Sequence, residues 1–153
     1  MFPSPLNLLF YGIENFSFSE NRKGRGKINV KAGPETIDTE VELMVSADGE
    51  QLYKARLKIS ASSKERSHPP YKISMSMIGV FSVEESFPKE QVEFLVGITG
   101  VSLLYSAARE YIFSSTAHGK FGPYMLPTIS FRPDMLKAEP QDALPPPAGQ
   151  KGE

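Results

Sequence analysis

The sequence has no cysteine. Disulfides, thiolate metal sites and a cysteine nucleophile are excluded together. The absence fits a reducing compartment without requiring one. There are 2 histidines, His68 and His118. Neither has a second ligand or a carboxylate pair at a useful spacing, so neither builds a metal site or a general base. His118 reads as a residue beside a negative helix terminus. An excess of one charge is missing too: 17 Lys and Arg face 18 Asp and Glu, a formal net charge of −1. Such a chain has no global pull toward nucleic acid or anionic lipid. No run approaches the roughly 20 apolar residues of a membrane span. The first ten residues lack a basic region ahead of their broken apolar stretch. The expectation is a cytoplasmic chain with no metal, no cofactor and no membrane insertion.

What is present suits one domain. The chain has 153 residues, 40% of them apolar, and a domain of that size buries roughly 68–70% of its unfolded surface without staples. Residues 1–138 are expected to fold. Residues 139–153, with Pro140 and Pro145-Pro146-Pro147, are expected to form a disordered tail.

Four segments alternate with period two, the mark of a half-buried strand. In residues 6–20, Leu6, Leu8 and Phe10, then Phe16 and Phe18, keep one even phase across Gly12. A basic, glycine-rich connection follows over 21–34, and Ile28–Val30 reads as a short strand within it. Residues 37–46 carry Val41, Leu43 and Val45 on one side. Asp48-Gly49 predicts a hairpin turn into residues 51–62, where Ala55, Leu57, Ile59 and Ala61 face in and Lys54, Arg56, Lys58 and Ser60 face out. After a polar loop, residues 71–83 place Tyr71, Ile73, Met75, Met77, Phe81 and Val83 together. The opposite side turns apolar at Ile78 and Val80, which predicts cover on both faces at that end.

The second half reads as helical. Residues 89–96 predict a short helix with Pro88 near its first turn, and Gly97 and Gly100 weaken its continuation. Residues 101–117 predict the principal helix, because Leu103/Leu104, Ala107/Ala108 and Tyr111/Ile112 recur at helical spacing. Gly119 is placed where a left-handed cap belongs. Residues 121–131 read as an extended apolar segment broken by prolines, and 134–138 as a turn or two of helix.

Few residues carry chemistry. Glu84-Glu85 and Glu90/Glu93 read as solvated faces or helix N-terminal charge. Gly24-Arg25-Gly26-Lys27 lacks the spacing of a phosphate loop. The basic run 22–27 reads as a solvated loop, and an RNA contact is the rival it leaves. No convergent polar pocket points to an enzyme. The stronger signal is a surplus of soft apolar side chains: Met44, Met75, Met77, Met125 and Met135 beside Phe10, Phe16, Phe18, Phe81, Tyr124 and Phe131. Most would be core, but methionine also serves tolerant binding surfaces.

Several motifs add a resemblance. Ile78-Gly79-Val80-Phe81-Ser82 resembles the Gly-x-Phe that ends the fourth strand of the SecB family of chaperones. Leu104-Tyr105-Ser106-Ala107-Ala108-Arg109-Glu110-Tyr111-Ile112 is similar to that family's Leu-Tyr-Pro-Tyr-x-Arg-Glu helix, and Gly119-Lys120-Phe121 to the Gly-x-Phe after it. Asn15-Phe16-Ser17-Phe18 resembles the first-strand Asp-Ile-Ser-Phe. The sequence departs from the family at Ser106, in place of a helix proline, and at Gly122-Pro123, where the proline is shifted. The family's second long helix shrinks to 134–138. Asn15 and Ser19 replace acidic residues that help contact the motor SecA, and the strong negative charge of export SecB is absent.

The resemblance implies an α+β fold: a four-stranded antiparallel sheet followed by a long packed helix, oligomeric as a dimer of dimers (a homotetramer). It implies an ATP-independent holdase for unfolded or non-native polypeptides, with SecA or an antitoxin as the dedicated partner and nucleic acid outside its range. Holdase action would work by mass action on the unfolded state. The expected client-binding residues are Phe16, Phe18, Val80, Phe81, Tyr124, Met125, Leu126 and Phe131. The expected oligomer interface is Ile78, Leu103, Leu104, Ala108, Arg109 and Ile112, with Arg109 suited to a carboxylate across a subunit boundary. Export is one role. The alternative is a chaperone dedicated to one partner such as an antitoxin.

Overall fold

The computed structural model describes residues 2–20, 37–45, 52–61 and 71–132. The expected connection 21–34, the Asp48-Gly49 turn, the loop holding His68, the helix at 134–138 and the tail 139–153 lie outside the described residues.

Four antiparallel strands form one sheet: β1 (Leu6–Glu20), β2 (Ile37–Val45), β3 (Leu52–Ala61) and β4 (Tyr71–Val83). Their spatial order is β1-β4-β3-β2, so β4, the most apolar strand, is central. Alternation in β3 and β4 translates directly into faces. Ala55, Leu57, Ile59, Ala61, Tyr71, Ile73, Met75, Met77, Phe81 and Val83 are all buried, because each lies on the side that a helix covers. The expected fold of sheet plus long helix is the one observed.

β1 departs from its even phase. Its pairing with β4 shifts register at Leu8/Phe10 and again at Ile13/Asn15, leaving Leu9 and Glu14 as extra residues. Each bulge turns the strand over by one residue. Tyr11 and Ile13 therefore join the helix side opposite Gly79 and Met77, while Phe10 moves to the other face opposite Val80. The second bulge restores Phe16 and Phe18 to the helix side, opposite Met75 and Ile73. At the far face Ile78 and Val80 remain half-buried, with Phe10 as their apolar neighbour in the chain.

The helical half is one run, α1 (Lys89–Thr116), rather than two helices. It opens with a tight turn at Lys89–Gln91 and contains a wide π-type turn at Val96–Gly100. Gly97 and Gly100 sit inside that turn without interrupting the helix. The buried stripe runs unbroken through the wide turn, from Val92 and Val96 by Gly97, Gly100 and Val101 to Leu104, Ala108 and Ile112. Gly79 lets the helix come close: a Cβ there would lie 2.7 Å from Leu104 Cδ2 and 2.9 Å from Phe81 Cε2. By length and composition α1 is apolar enough to cross a membrane, which the sequence alone did not suggest. Here it packs as the core helix, with Val101, Leu104, Ala108 and Ile112 fully covered.

Gly119 is not the left-handed residue. Its backbone has ordinary φ, and it is needed because a side chain would run into the Tyr71 hydroxyl. The positive φ, 75°, belongs to Gly122, three residues later, where the chain turns into the extended segment.

Candidate functional site

The helix-side face of the sheet is not fully covered. At the end of β1 a line of aromatic rings emerges from under α1. Tyr111 on the helix meets Phe16 edge-on at 5.1 Å and 85°. Phe16 meets Phe18 at 5.8 Å, and Phe18 meets Tyr71 edge-on at 5.6 Å. Tyr71 meets Phe121 at 5.8 Å. Edge-to-face spacing of this kind is favourable beyond the area it buries. Tyr71 is fully buried, but Phe18 is 38% and Tyr111 42% exposed, and Phe16 and Phe121 are half-buried. The line is therefore anchored in the core and open along one side.

The segment 121–131 forms the adjoining wall. Pro123 and Pro127 have no N–H, which bars a regular ladder strand here. Side chains hold its backbone instead. The Tyr71 hydroxyl accepts from the Phe121 N–H at 2.9 Å and donates to the Gly122 carbonyl at 2.9 Å. Thr116 Oγ1 accepts from the Tyr124 N–H at 2.8 Å. Arg109 Nε donates to the Leu126 carbonyl at 3.0 Å, and the Tyr105 hydroxyl to the Pro127 carbonyl at 2.6 Å. Burial pushes the Tyr105 hydroxyl up to about 12, against the pull of the Arg109 charge, so it stays a donor at any ordinary pH. Tyr124, Leu126 and Phe131 turn inward and Met125 turns out, 50% exposed.

Of the client residues expected from sequence, Phe16, Phe18, Tyr124, Met125, Leu126 and Phe131 come together here, three of them facing inward. Phe81 lies wholly under the helix, and Val80 is on the opposite face of the sheet. The expected oligomer residues divide likewise. Leu104, Ala108 and Ile112 are closed against the sheet, Leu103 faces outward, Arg109 grips Leu126, and Ile78 is on the far face. Sequence reasoning assigned Tyr111 to the buried helix stripe and gave Phe121 no role; only the rings they touch in space single them out. It also missed the exposed apolar run of β1, Leu8–Ile13, of which Phe10 is 61% exposed.

The far face of the sheet is polar over most of its length. Arg56 on β3 reaches across to Glu14 of β1 at 2.8 Å and to Glu42 of β2 at 2.7 Å, and Lys58 reaches Glu42 at 3.2 Å. The Arg56 hydrogen bond, then that of Lys58, holds the Glu42 carboxyl below its usual range. A shallow depression of about 750 Å³ lies beside this network, lined by Asp38, Glu40, Ser60, Ser74 and Ser76 among others. Among the described residues no group of three or more His, Asp and Glu could hold a metal ion. Nothing in this arrangement pairs a nucleophile with a base. The apolar surface left open is the aromatic line on the helix side, with Phe18, Tyr111 and Met125 exposed.

Comparison with known proteins bears on this surface. The family model described as SecB, preprotein translocase subunit SecB, matches residues 7–140. The protein-export protein SecB of Nitrobacter winogradskyi is 29% identical over 130 residues, covering 84% of this chain and 80% of its own. That of Rhodopseudomonas palustris strain BisA53 is 28% identical over 149 residues, covering 94% and 91%. Among solved structures, the Mycobacterium tuberculosis SecB-like chaperone in complex with a ChAD peptide from the HigA1 antitoxin superposes with a TM-score of 0.56. It shares 16% identity, with 83% of this chain and 92% of that chain covered.

Proposed function

This chain belongs to the SecB family, and from that premise we propose that it is an ATP-independent holdase of the cytoplasm, dedicated to a particular partner chain such as an antitoxin. Family membership makes it a non-enzymatic, SecB-like chaperone. The observation that carries the binding mode is the open aromatic line from Tyr111 through Phe16 and Phe18 to Phe121, continued by Met125. Anchored rings give a preformed apolar surface, and a soft methionine tolerates varied side chains. Tyr124, Leu126 and Phe131 support that surface from beneath. A client held there in its unfolded state is withdrawn from folding and aggregation by mass action.

The dedicated reading is supported by the likeness in fold to a chaperone solved with an antitoxin peptide. It is also supported by the far face of the sheet. Asn15 stands opposite Ser76 and Ser19 opposite Lys72, where export chaperones of this kind present acids to SecA. Glu14 and Glu42 are engaged by Arg56. The export reading is supported by the names of the sequence relatives.

A homo-oligomer, arranged as a dimer of dimers, is part of the proposal. β1 is an edge strand with a row of exposed apolar residues, and Phe94 and Leu103 project from the outer side of α1. Such surfaces on one molecule call for cover.

Light scattering on a sizing column, with and without a permanently unfolded protein, tests the holdase. A stable oligomer that co-elutes with the unfolded chain and not with its folded form is expected; a monomer indifferent to both would refute it. Suppression of aggregation separates the two roles. A dedicated chaperone binds unrelated unfolded chains but protects them only in excess, and protects its own partner at near-stoichiometric ratios; equal protection of all would mark the general role.

A further inference from the structure

We propose that Thr116, Arg109 and Tyr105 are positioning residues that mount Met125 rigidly for contact with a client chain. The inference rests on the holdase reading above. Three residues of one helix grip the extended segment on both sides of Met125: Thr116 at the Tyr124 N–H, Arg109 at the Leu126 carbonyl and Tyr105 at the Pro127 carbonyl. Arg109 and Tyr105 stand one helical turn apart and hold consecutive carbonyls. The side chains on either side of Met125, Tyr124 and Leu126, are buried, so the backbone beneath it is fixed in rotation as well as in place.

The grips are themselves held. Thr116 Oγ1 donates to the Ile112 carbonyl at 2.7 Å, which leaves its lone pairs to the Tyr124 N–H. The Tyr105 ring packs edge-on against Phe131 at 5.7 Å, tying down the far end of the segment. Pro123 and Pro127 remove the N–H groups that a sheet ladder would use, so the segment takes its position from α1. Met125 thus has a fixed base and a flexible tip. A fixed base lowers the ordering cost of binding, while the unbranched thioether adapts to the client's side chain.

The test uses the full chain and, as client, reduced and carboxymethylated α-lactalbumin, which cannot refold. The variant Tyr105→Phe with Arg109→Met removes both carbonyl donors, since a methyl group then stands where Arg109 Nε stood, and keeps the ring packing and the apolar stem. Its Tyr124 amide, bonded to Thr116 Oγ1 in the wild type, is expected to exchange hydrogen at least about tenfold faster and the client to dissociate at least about tenfold faster, from the loss of two neighbouring hydrogen bonds, one of them charged. Sheet amides are expected to keep wild-type protection. Met125→Ala is expected to speed dissociation with unchanged exchange, and Tyr105→Phe alone, missing one oxygen, to show a smaller rise in both. A wild type that binds the client beside a double variant that releases it at the wild-type rate overturns the mount alone. Unchanged exchange in the double variant overturns it too. A wild type indifferent to the client overturns the holdase reading, and the mount with it.

Discussion

Replacing Gly79 by alanine pushes a methyl group into space already held by Leu104 and Phe81. The new Cβ would lie 2.7 Å from Leu104 Cδ2 and 2.9 Å from Phe81 Cε2. Contact between carbons is comfortable at about 3.5–4.0 Å, so roughly an ångström of displacement is demanded. Leu104 and Phe81 are both fully buried and have little room to give. Overpacking of this kind costs about 1–3 kcal/mol, offset by about 0.5–1 kcal/mol because alanine suits a strand better than glycine. Leu104→Ala alone leaves a cavity under α1 and costs about 2–5 kcal/mol. In the double variant the added methyl occupies part of that cavity. The double loss is therefore smaller than the sum of the singles, by about 1–2 kcal/mol. Urea unfolding, followed by circular dichroism at one fixed protein concentration because association shifts apparent stability, measures all four corners of the cycle. Additivity within about 0.5 kcal/mol, the behaviour of independent sites, would refute the account of how helix and sheet meet.

Three further outcomes are expected. Tyr71→Phe leaves the Phe121 N–H and the Gly122 carbonyl without their shared partner, at about 1–3 kcal/mol; faster exchange at the Phe121 amide checks it, and wild-type exchange there would contradict it. Gly122→Ala places a methyl-bearing residue at φ 75° with open space around it, so the loss is purely conformational, about 1–2 kcal/mol, read from the thermal midpoint. The depressed Glu42 carboxyl contributes stability that is complete above its ordinary value of 4.5 and is lost as pH falls through its lower folded value. Arg56→Gln is expected to lower the urea midpoint at pH 7 and to narrow its gap to wild type in more acid solution; a gap that is constant with pH would show that the ion pair does not couple to folding.

Local periodicity determined a large share of this protein. Alternation in β3 and β4 marked the buried residues from Ala55 to Val83, and helical spacing marked Leu104, Ala108 and Ile112. Both patterns arise within a few residues of chain, so the sequence displays them directly. The helix motif around Tyr105, Arg109 and Glu110 also carried the family. The tertiary structure decided what periodicity cannot record. Two bulges in β1 cancel, so the strand enters and leaves in the same phase while Phe10 and Tyr11 exchange faces between them. Gly97 and Gly100 read as helix breakers, yet both lie buried inside a wide turn of a continuous helix, where a Cβ on Gly100 would come within 3.0 Å of the Phe81 ring. The aromatic line runs through residues 111, 16, 18, 71 and 121, and only folding sets each ring within 6 Å of the next. Met125 was visible as a soft side chain in an extended segment. That it stands outward between two buried neighbours, on a backbone gripped from a helix, follows from hydrogen bonds between distant residues.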